Sequence, residues 1–488
     1  MKKTFLKQMA CLSLALVMAV SASATYWWGG MWPSWKPEVK PETPVIDIDW
    51  EHRYTWDELT GQLNEMNETY PGITELYAVG ASQQERELWC LEITDEKVKT
   101  EKTGIAVIAN IHGGERESAS SAMYTAWWFV TNSDDAYVKN LLKNYIIYVI
   151  PVMNPDGYEQ SFVTNTRQNL RPRDLNGNGA PFSDPYADLN GDGYIGTLYK
   201  GNSTDPVPTS TRGLPSFGTE SPDWDNNGKI GDDPRNSGID MNRTFNYQWN
   251  RYDIESYKTG NYDDRIGVNA WSSTGAALGY EPASEPEVQA IQHFLYDKMP
   301  AAFCSLHTGI QCVLYPWCYR AYDETNPKDA DIPFMAETAT AMAQAYQDHT
   351  GRGFYVLDSF HDYTTSSEMI DYGFGRLGIR SYTIEVYQAG GAGTANVEEC
   401  SWGNVLPAAT WDFMTKDELK AAGMSAAAIA NIGDDYDGVW VYTNGTAQMV
   451  DKAPTDQTTM VEGCLEAVLV MIESEPYGNG PVNPGYYK

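Results

Sequence analysis

Two apolar rhythms alternate along the chain. Apolar side chains recur at helical spacing over residues 55–70, where Pro71-Gly72 stops them, and strand-like stretches follow at 75–79 and 87–93. Residues 104–110 (GIAVIAN) and 145–152 (YIIYVIPV) are continuous apolar runs, the pattern of strands buried on both faces. A helix is expected over 118–131 between them. Ser284-Glu-Pro-Glu287 has the form of a capping box, with Ser284 as N-cap, Pro286 in the first turn and Glu287 at N3, opening a helix to about Tyr296. Strands at 301–306, 313–317 and 380–386, a helix over 335–350 and a final helix over 459–473 complete the series. Strand and helix in alternation predict an α/β fold with a mixed, largely parallel central sheet covered by helices on both faces.

Two stretches break this rhythm. Residues 170–239 are rich in Asp, Asn, Gly and Pro, and residues 401–456 lie between the last strand and the final helix; both read as insertions into one catalytic domain spanning 50–476. Residues 25–49 mix Trp, Pro and Gly without period and read as a linker or arm, and 477–488 as a tail.

Composition adds the compartment. Lys2, Lys3 and Lys7 precede an apolar run over 9–20 and the small residues Ala22-Ser23-Ala24, which predicts a secretory signal peptide cut near Ala24. The run is too short to span a bilayer, so no membrane anchor is expected. Beyond this leader stand Cys90, Cys304, Cys312, Cys318, Cys400 and Cys464, an even set that suits disulfides as well as buried free thiols. A formal net charge of −32 argues against nucleic acid as a partner. A secreted monomer is expected.

Ligands in open α/β sheets gather at the carboxyl ends of strands. His112-Gly-Gly-Glu115 follows one such end directly and His307 another. Two histidines and a carboxylate converging there supply the three-ligand, open-position pattern of a catalytic zinc site.

With these residues in place, the sequence resembles the zinc carboxypeptidases of the carboxypeptidase A family, in order from about Tyr54 to the C-terminal helix. His112-Gly-Gly-Glu115 resembles its HxxE, Asn154-Pro-Asp-Gly-Tyr158 its NPDG(F/Y) loop, and Asp240-Met-Asn-Arg243 its D-x-N-R element. Ser305-Leu-His307 with Tyr315-Pro316 resembles the third-ligand strand and hairpin, and Thr383-Ile-Glu385 the catalytic T-x-E.

The resemblance implies Zn²⁺ on His112, Glu115 and His307, with Glu385 as general base and Arg167 stabilising the oxyanion. It implies that Asn242 and Arg243 bind the terminal carboxylate of a peptide, that Tyr363 closes over it, and that Ile370 lies at the base of the side-chain pocket. Ile370 favours apolar or aromatic C-terminal residues, whereas nearby Glu368 and Asp362 would favour basic ones. Gly114 stands where the family often has an arginine, and the early G-x-S-x-x-G-R turn reads Gly80-Ala-Ser82-Gln-Gln-Glu85-Arg86. The same ligands would also serve a peptidase of cell-wall stem peptides, or an amidohydrolase removing acyl groups from amino acids. A catalytically inactive binding module is a third alternative.

The first insertion carries its own signal. Asp174, Asn176 and Asn178 precede Gly179; Asp188, Asn190 and Asp192 precede Gly193; Asp223, Asp225 and Asn227 precede Gly228. Oxygen ligands at alternate positions before a turn glycine form the opening half of a Ca²⁺ loop, although the bidentate Glu at position 12 is missing and Pro185, Tyr199 and Pro234 stand there instead. Structural Ca²⁺ is therefore expected, completed by acids such as Asp184, Asp232 and Asp233.

Overall fold

The computed structural model describes residues 46–164, 166–236, 238–249, 281–362, 364–386, 409–444 and 457–476. Helix α1 (Trp56–Thr69) opens on a complete capping box between Thr55 and Glu58 and buries Leu59, Leu63 and Met66. Then come β1 (Thr74–Ala81), β2 (Glu87–Ile93), β3 (Thr103–Ala109), α2 (Arg116–Thr131), α3 (Ala136–Asn144), β4 (Tyr145–Ile150) and α4 (Pro155–Gln160). Short strands β5 (Thr197–Gly201) and β6 (Ser216–Thr219) precede a 3₁₀ turn at Met241–Arg243. The second half holds α5 (Pro286–Lys298), β7 (Ala302–His307), β8 (Cys312–Tyr315), α6 (Ile332–Thr350), β9 (Tyr355–Asp358), α7 (Ser359–Asp362), α8 (Met369–Leu377) and β10 (Arg380–Glu385). It closes with β11 (Thr410–Thr415), α9 (Lys416–Ala421), α10 (Ala426–Ile432), β12 (Gly438–Thr443) and α11 (Gln457–Ser474).

Eight strands form one sheet in the order β1-β2-β4-β3-β7-β10-β8-β9. Its centre, β4-β3-β7-β10, is parallel; β1-β2, β2-β4 and β10-β8 are antiparallel, and the edge pair β8-β9 is parallel. Nearly every position of β3, β4, β7 and β10 is buried. Successive side chains of a strand point to opposite faces, so both faces of this centre are covered. Helix α11 packs on α6 and α2, and α5 lies so close to β1 that a Cβ on Gly80 would come within 2.4 Å of the Ala290 Cβ.

The two interruptions of the strand–helix rhythm join in space. Strands β11-β12-β5-β6 make a second, antiparallel sheet whose core includes Leu198, Ile230, Met414, Leu419, Val439 and Val441. One structural unit is thus built from segments more than 200 residues apart.

Three local expectations are corrected. Helix α2 begins at Arg116, ahead of Ser118, and α6 at Ile332, ahead of Met335. The capping box at Ser284 does not form: the N-cap is Glu285, and Glu287 accepts instead from the Gln83 N–H at 3.1 Å and the Asn169 amide at 3.3 Å. Tertiary donors outcompete the local cap. Cys90, Cys304, Cys312, Cys318 and Cys464 are buried free thiols, so no disulfide forms among the described cysteines; Cys400 lies outside the described residues.

Candidate active site

Strands β3, β7 and β10 are parallel neighbours, so their carboxyl ends open along one edge of the sheet. Register places Glu385 directly beside His307. After β3 the chain turns at Asn110, in the left-handed region at φ 57, where Asn is among the better-tolerated residues. Its side-chain amide donates to the carbonyls of His112, Gly113 and Glu115 at 3.1, 3.2 and 3.0 Å, fixing the ligand loop from inside. A Cβ on Gly113 would lie 2.2 Å from the Gly157 carbonyl carbon, so the loop can press on the Asn154–Tyr158 turn only as glycine. From that turn, the Asn154 amide donates to the carbonyls of Ile111 (3.1 Å) and Gln168 (3.2 Å), linking the ligand loop to the Arg167 segment.

His112, Glu115 and His307 come together, each offering one ligand atom, all within 4.8 Å of one another. Both Nδ1 atoms turn to the Glu115 carboxylate, His112 at 2.7 Å from Oε1 and His307 at 3.1 Å from Oε2. Behind the rings, His307 Nε2 lies 2.9 Å from the Ser305 hydroxyl, and His112 Nε2 faces Asp240 Oδ1 at 3.3 Å as an ion-pair neighbour without a hydrogen bond. Partners on the far nitrogen set the orientation and basicity of a metal-ligating imidazole. Burial works against ionisation of Glu115, yet the two imidazoles hold its carboxyl below the usual range. Two nitrogens and a carboxylate in this arrangement fit zinc. Asp240 and Ser305 flank the ligand motifs, and sequence reasoning assigned them no role; only their place two residues from Asn242 and from His307 marked them.

Glu385 faces this cluster. Its Oε2 is buried without a hydrogen-bond partner and lies 3.5 Å from where a Cβ on Gly309 would stand. Burial, then the Glu115 charge, push the Glu385 carboxyl well above its usual range against the pull of Arg167. Arg167 donates from Nε to Asp240 Oδ2 at 2.7 Å, and its Nη1 stands 3.7 Å from Glu115 Oε1. Burial opposes ionisation of Asp240, but the guanidinium groups of Arg167 and Arg243 keep it well below the usual range.

Asn242 and Arg243 sit on the 3₁₀ turn that Asp240 caps, both buried. The Asn242 side-chain oxygen is taken by the Met369 N–H at 3.0 Å, so the group it can offer a ligand is its amide donor. Arg243 donates from Nη1 to its neighbour's carbonyl and to Glu368 Oε1, each at 2.9 Å. Ile370, near the start of α8, is buried, and its carbonyl accepts from the Ser381 hydroxyl. Tyr363 lies outside the described residues.

The Asp/Asn loops of the insertion share one geometry. Asp174, Asp188 and Asp223 each accept main-chain N–H groups from residues three to five positions on. The first and third loops meet: the Asn176 amide donates to Asp225 (2.7 Å) and Asp232 (3.0 Å), that of Asn178 to Asp225 (2.8 Å), and that of Asn227 to Asp232 (3.1 Å). The second loop instead reaches β12, where Thr443 donates to Asp192, and Asn190 donates to Asp192 within the loop. Asp184 and Asp233, both buried, bind the main chain around the third loop and near Ser183. Among the described residues, His112, Glu115 and His307 are the one group of His, Cys, Asp and Glu close enough together to hold a metal.

The sequence profile of the zinc carboxypeptidase family matches residues 59–408. Carboxypeptidase O of Bos taurus is 22% identical over 424 residues, covering 85% of this chain and 87% of that protein. Carboxypeptidase B of Astacus astacus is 22% identical over 351 residues, covering 71% and 90%. Carboxypeptidase A6 of Mus musculus is 23% identical over 304 residues, which span 60% of this chain and about half (51%) of that relative. In fold, the crystal structure of thrombin activatable fibrinolysis inhibitor aligns with a TM-score of 0.54 at 15% identity, covering 89% of this chain and 77% of that one.

Proposed function

The chain belongs to the zinc carboxypeptidase family, and from that premise we propose that it hydrolyses the last peptide bond of peptides bearing a free C-terminal carboxylate. The observation that carries the reading is the double use of one short segment. Asp240 backs the ligand His112, and Asn242 and Arg243, an amide donor and a guanidinium suited to a carboxylate, follow within three residues. A substrate anchored there by its terminus has its last peptide bond held next to the metal ligands.

Zinc on His112, Glu115 and His307 would supply Lewis-acid polarisation and lower the pKa of a bound water to about 7. Glu385, at a strand end beside His307, takes a proton from water at its unpartnered Oε2 and returns it to the leaving amine. The Arg167 guanidinium, held by Asp240, offers N–H donors to the oxyanion. Tyr363 and Ile370 belong to the same proposal, as the closing tyrosine and a pocket residue. Mass spectrometry of an N-terminally blocked peptide incubated with the metal-loaded chain tests it. Successive loss of single C-terminal residues is expected, and internal cleavage or an intact peptide would contradict it.

Secretion after cleavage near Ala24 and a monomeric state complete the reading. Among the described residues no helix is long and apolar enough to cross a membrane. The Asp/Asn loops are proposed to bind Ca²⁺, supported by the alternate-oxygen spacing and by the left-handed Gly179, Gly193 and Gly228 at the turn of each.

A further inference from the structure

The guanidinium assigned to the substrate's carboxylate already holds an anion of the protein's own. Arg243 and Glu368 are both buried and stand 2.9 Å apart. The Thr365 hydroxyl donates to the same Glu368 oxygen at 2.5 Å, and the Cys318 thiol lies 3.4 Å from the other.

Charge balance decides what this arrangement accepts. Before substrate arrives, Arg243 pairs with Glu368 and Arg167 with Asp240, so these two cations and two anions balance. A terminal carboxylate docking on Arg243 leaves two anions sharing one buried cation, and an uncompensated buried charge is strongly disfavoured. An apolar C-terminal side chain does nothing to relieve this. A lysine or arginine side chain restores neutrality and brings three or five N–H donors. Acceptors for those donors are at hand: Ser366 and Ser367, next to Glu368, have fully buried hydroxyls with no partner, a costly state that a bound donor would relieve. Resting on the carboxypeptidase reading above, we propose that Glu368 makes this site select peptides ending in a basic residue, against the apolar preference expected from Ile370.

The test uses the metal-loaded full chain and N-blocked peptides identical except for a C-terminal Lys, Arg, Leu or Phe. The Lys and Arg peptides are expected to exceed the Leu and Phe peptides in kcat/KM by about tenfold or more. In Glu368→Gln that ratio should fall about tenfold, with KM for the Leu and Phe peptides decreasing because Arg243 is no longer shared, while Glu368→Asp keeps the basic preference. Binding of free arginine and free phenylalanine to the wild type, read as changes in melting temperature, gives the same answer without a variant, arginine giving the larger rise. A wild type that prefers Leu or Phe, or shows no preference, overturns the inference, as does a basic preference untouched by Glu368→Gln. A wild type that shortens none of the peptides contradicts the carboxypeptidase reading itself.

Discussion

Each imidazole of the metal cluster turns one nitrogen to Glu115; the other is hydrogen-bonded to the Ser305 hydroxyl in His307 and faces Asp240 at 3.3 Å in His112. Glu385 is instead an acid beside the cluster, its buried Oε2 without a hydrogen-bond partner. The two kinds of residue therefore fail differently when changed. His307→Ala removes one of the three proposed ligands, and metal analysis should find the zinc lost. Glu385→Gln keeps the shape of the side chain and should retain zinc and substrate affinity, with kcat falling on the order of a hundredfold to ten-thousandfold. A Glu385→Gln protein of undiminished kcat would remove this residue from the chemistry. At this scale the sequence was most informative about the His112, Glu115 and His307 cluster, whose members sit in short motifs at strand ends. It marked Glu368 as an acid near the side-chain pocket but not its pairing with Arg243, which is 125 positions away.

Elements that bury both faces declared themselves, because β3, β4, β7 and β10 are apolar at almost every position and need no knowledge of their neighbours. The second sheet did not. Its strands are four to six residues long, half-exposed in part, and β5 pairs with β12 across more than 200 residues, a contact that no local periodicity encodes. The failed cap at Ser284 has the same origin, since Glu287 found its donors on Gln83 and Asn169. The Asp/Asn loops were visible as spacing, and their fate as ion sites belongs to this unit. If Ca²⁺ fills them, a calcium-selective chelator should lower the melting temperature by mass action while zinc content stays constant. An unchanged melting curve would leave the loops as turns satisfied by their own N–H groups.

Over the whole molecule an excess of acid, 66 Asp and Glu against 34 Lys and Arg, coexists with carboxyls buried deep in the fold. Burial first, then Glu285 and Asp156, push Glu287 up to about 8, and burial raises Asp371 and Glu475 to about 7. A carboxyl raised in the folded state contributes stability that is full below its ordinary value, 4.5 for Glu287, and is lost as pH rises through the folded value. The denaturation midpoint of the metal-loaded protein should therefore fall between pH 6 and about pH 8.5, since a tenfold difference in one group's proton affinity between folded and unfolded chains is worth up to about 1.4 kcal/mol. Glu287→Gln should flatten that slope, and a midpoint rising over the same range would contradict the assignment. The central claim, that this fold is an exopeptidase anchored on a terminal carboxylate, is tested most directly by comparing a free-acid peptide with its C-terminal amide, using wild type and Arg243→Ala. The wild type should hydrolyse the acid, best with a C-terminal Lys or Arg, and leave the amide nearly untouched, because a neutral amide forfeits the charge-assisted hydrogen bonds that Arg243 and Asn242 give a carboxylate. Arg243→Ala should lose most of the activity on the acid and most of the discrimination with it. Equal wild-type rates on acid and amide would contradict the account.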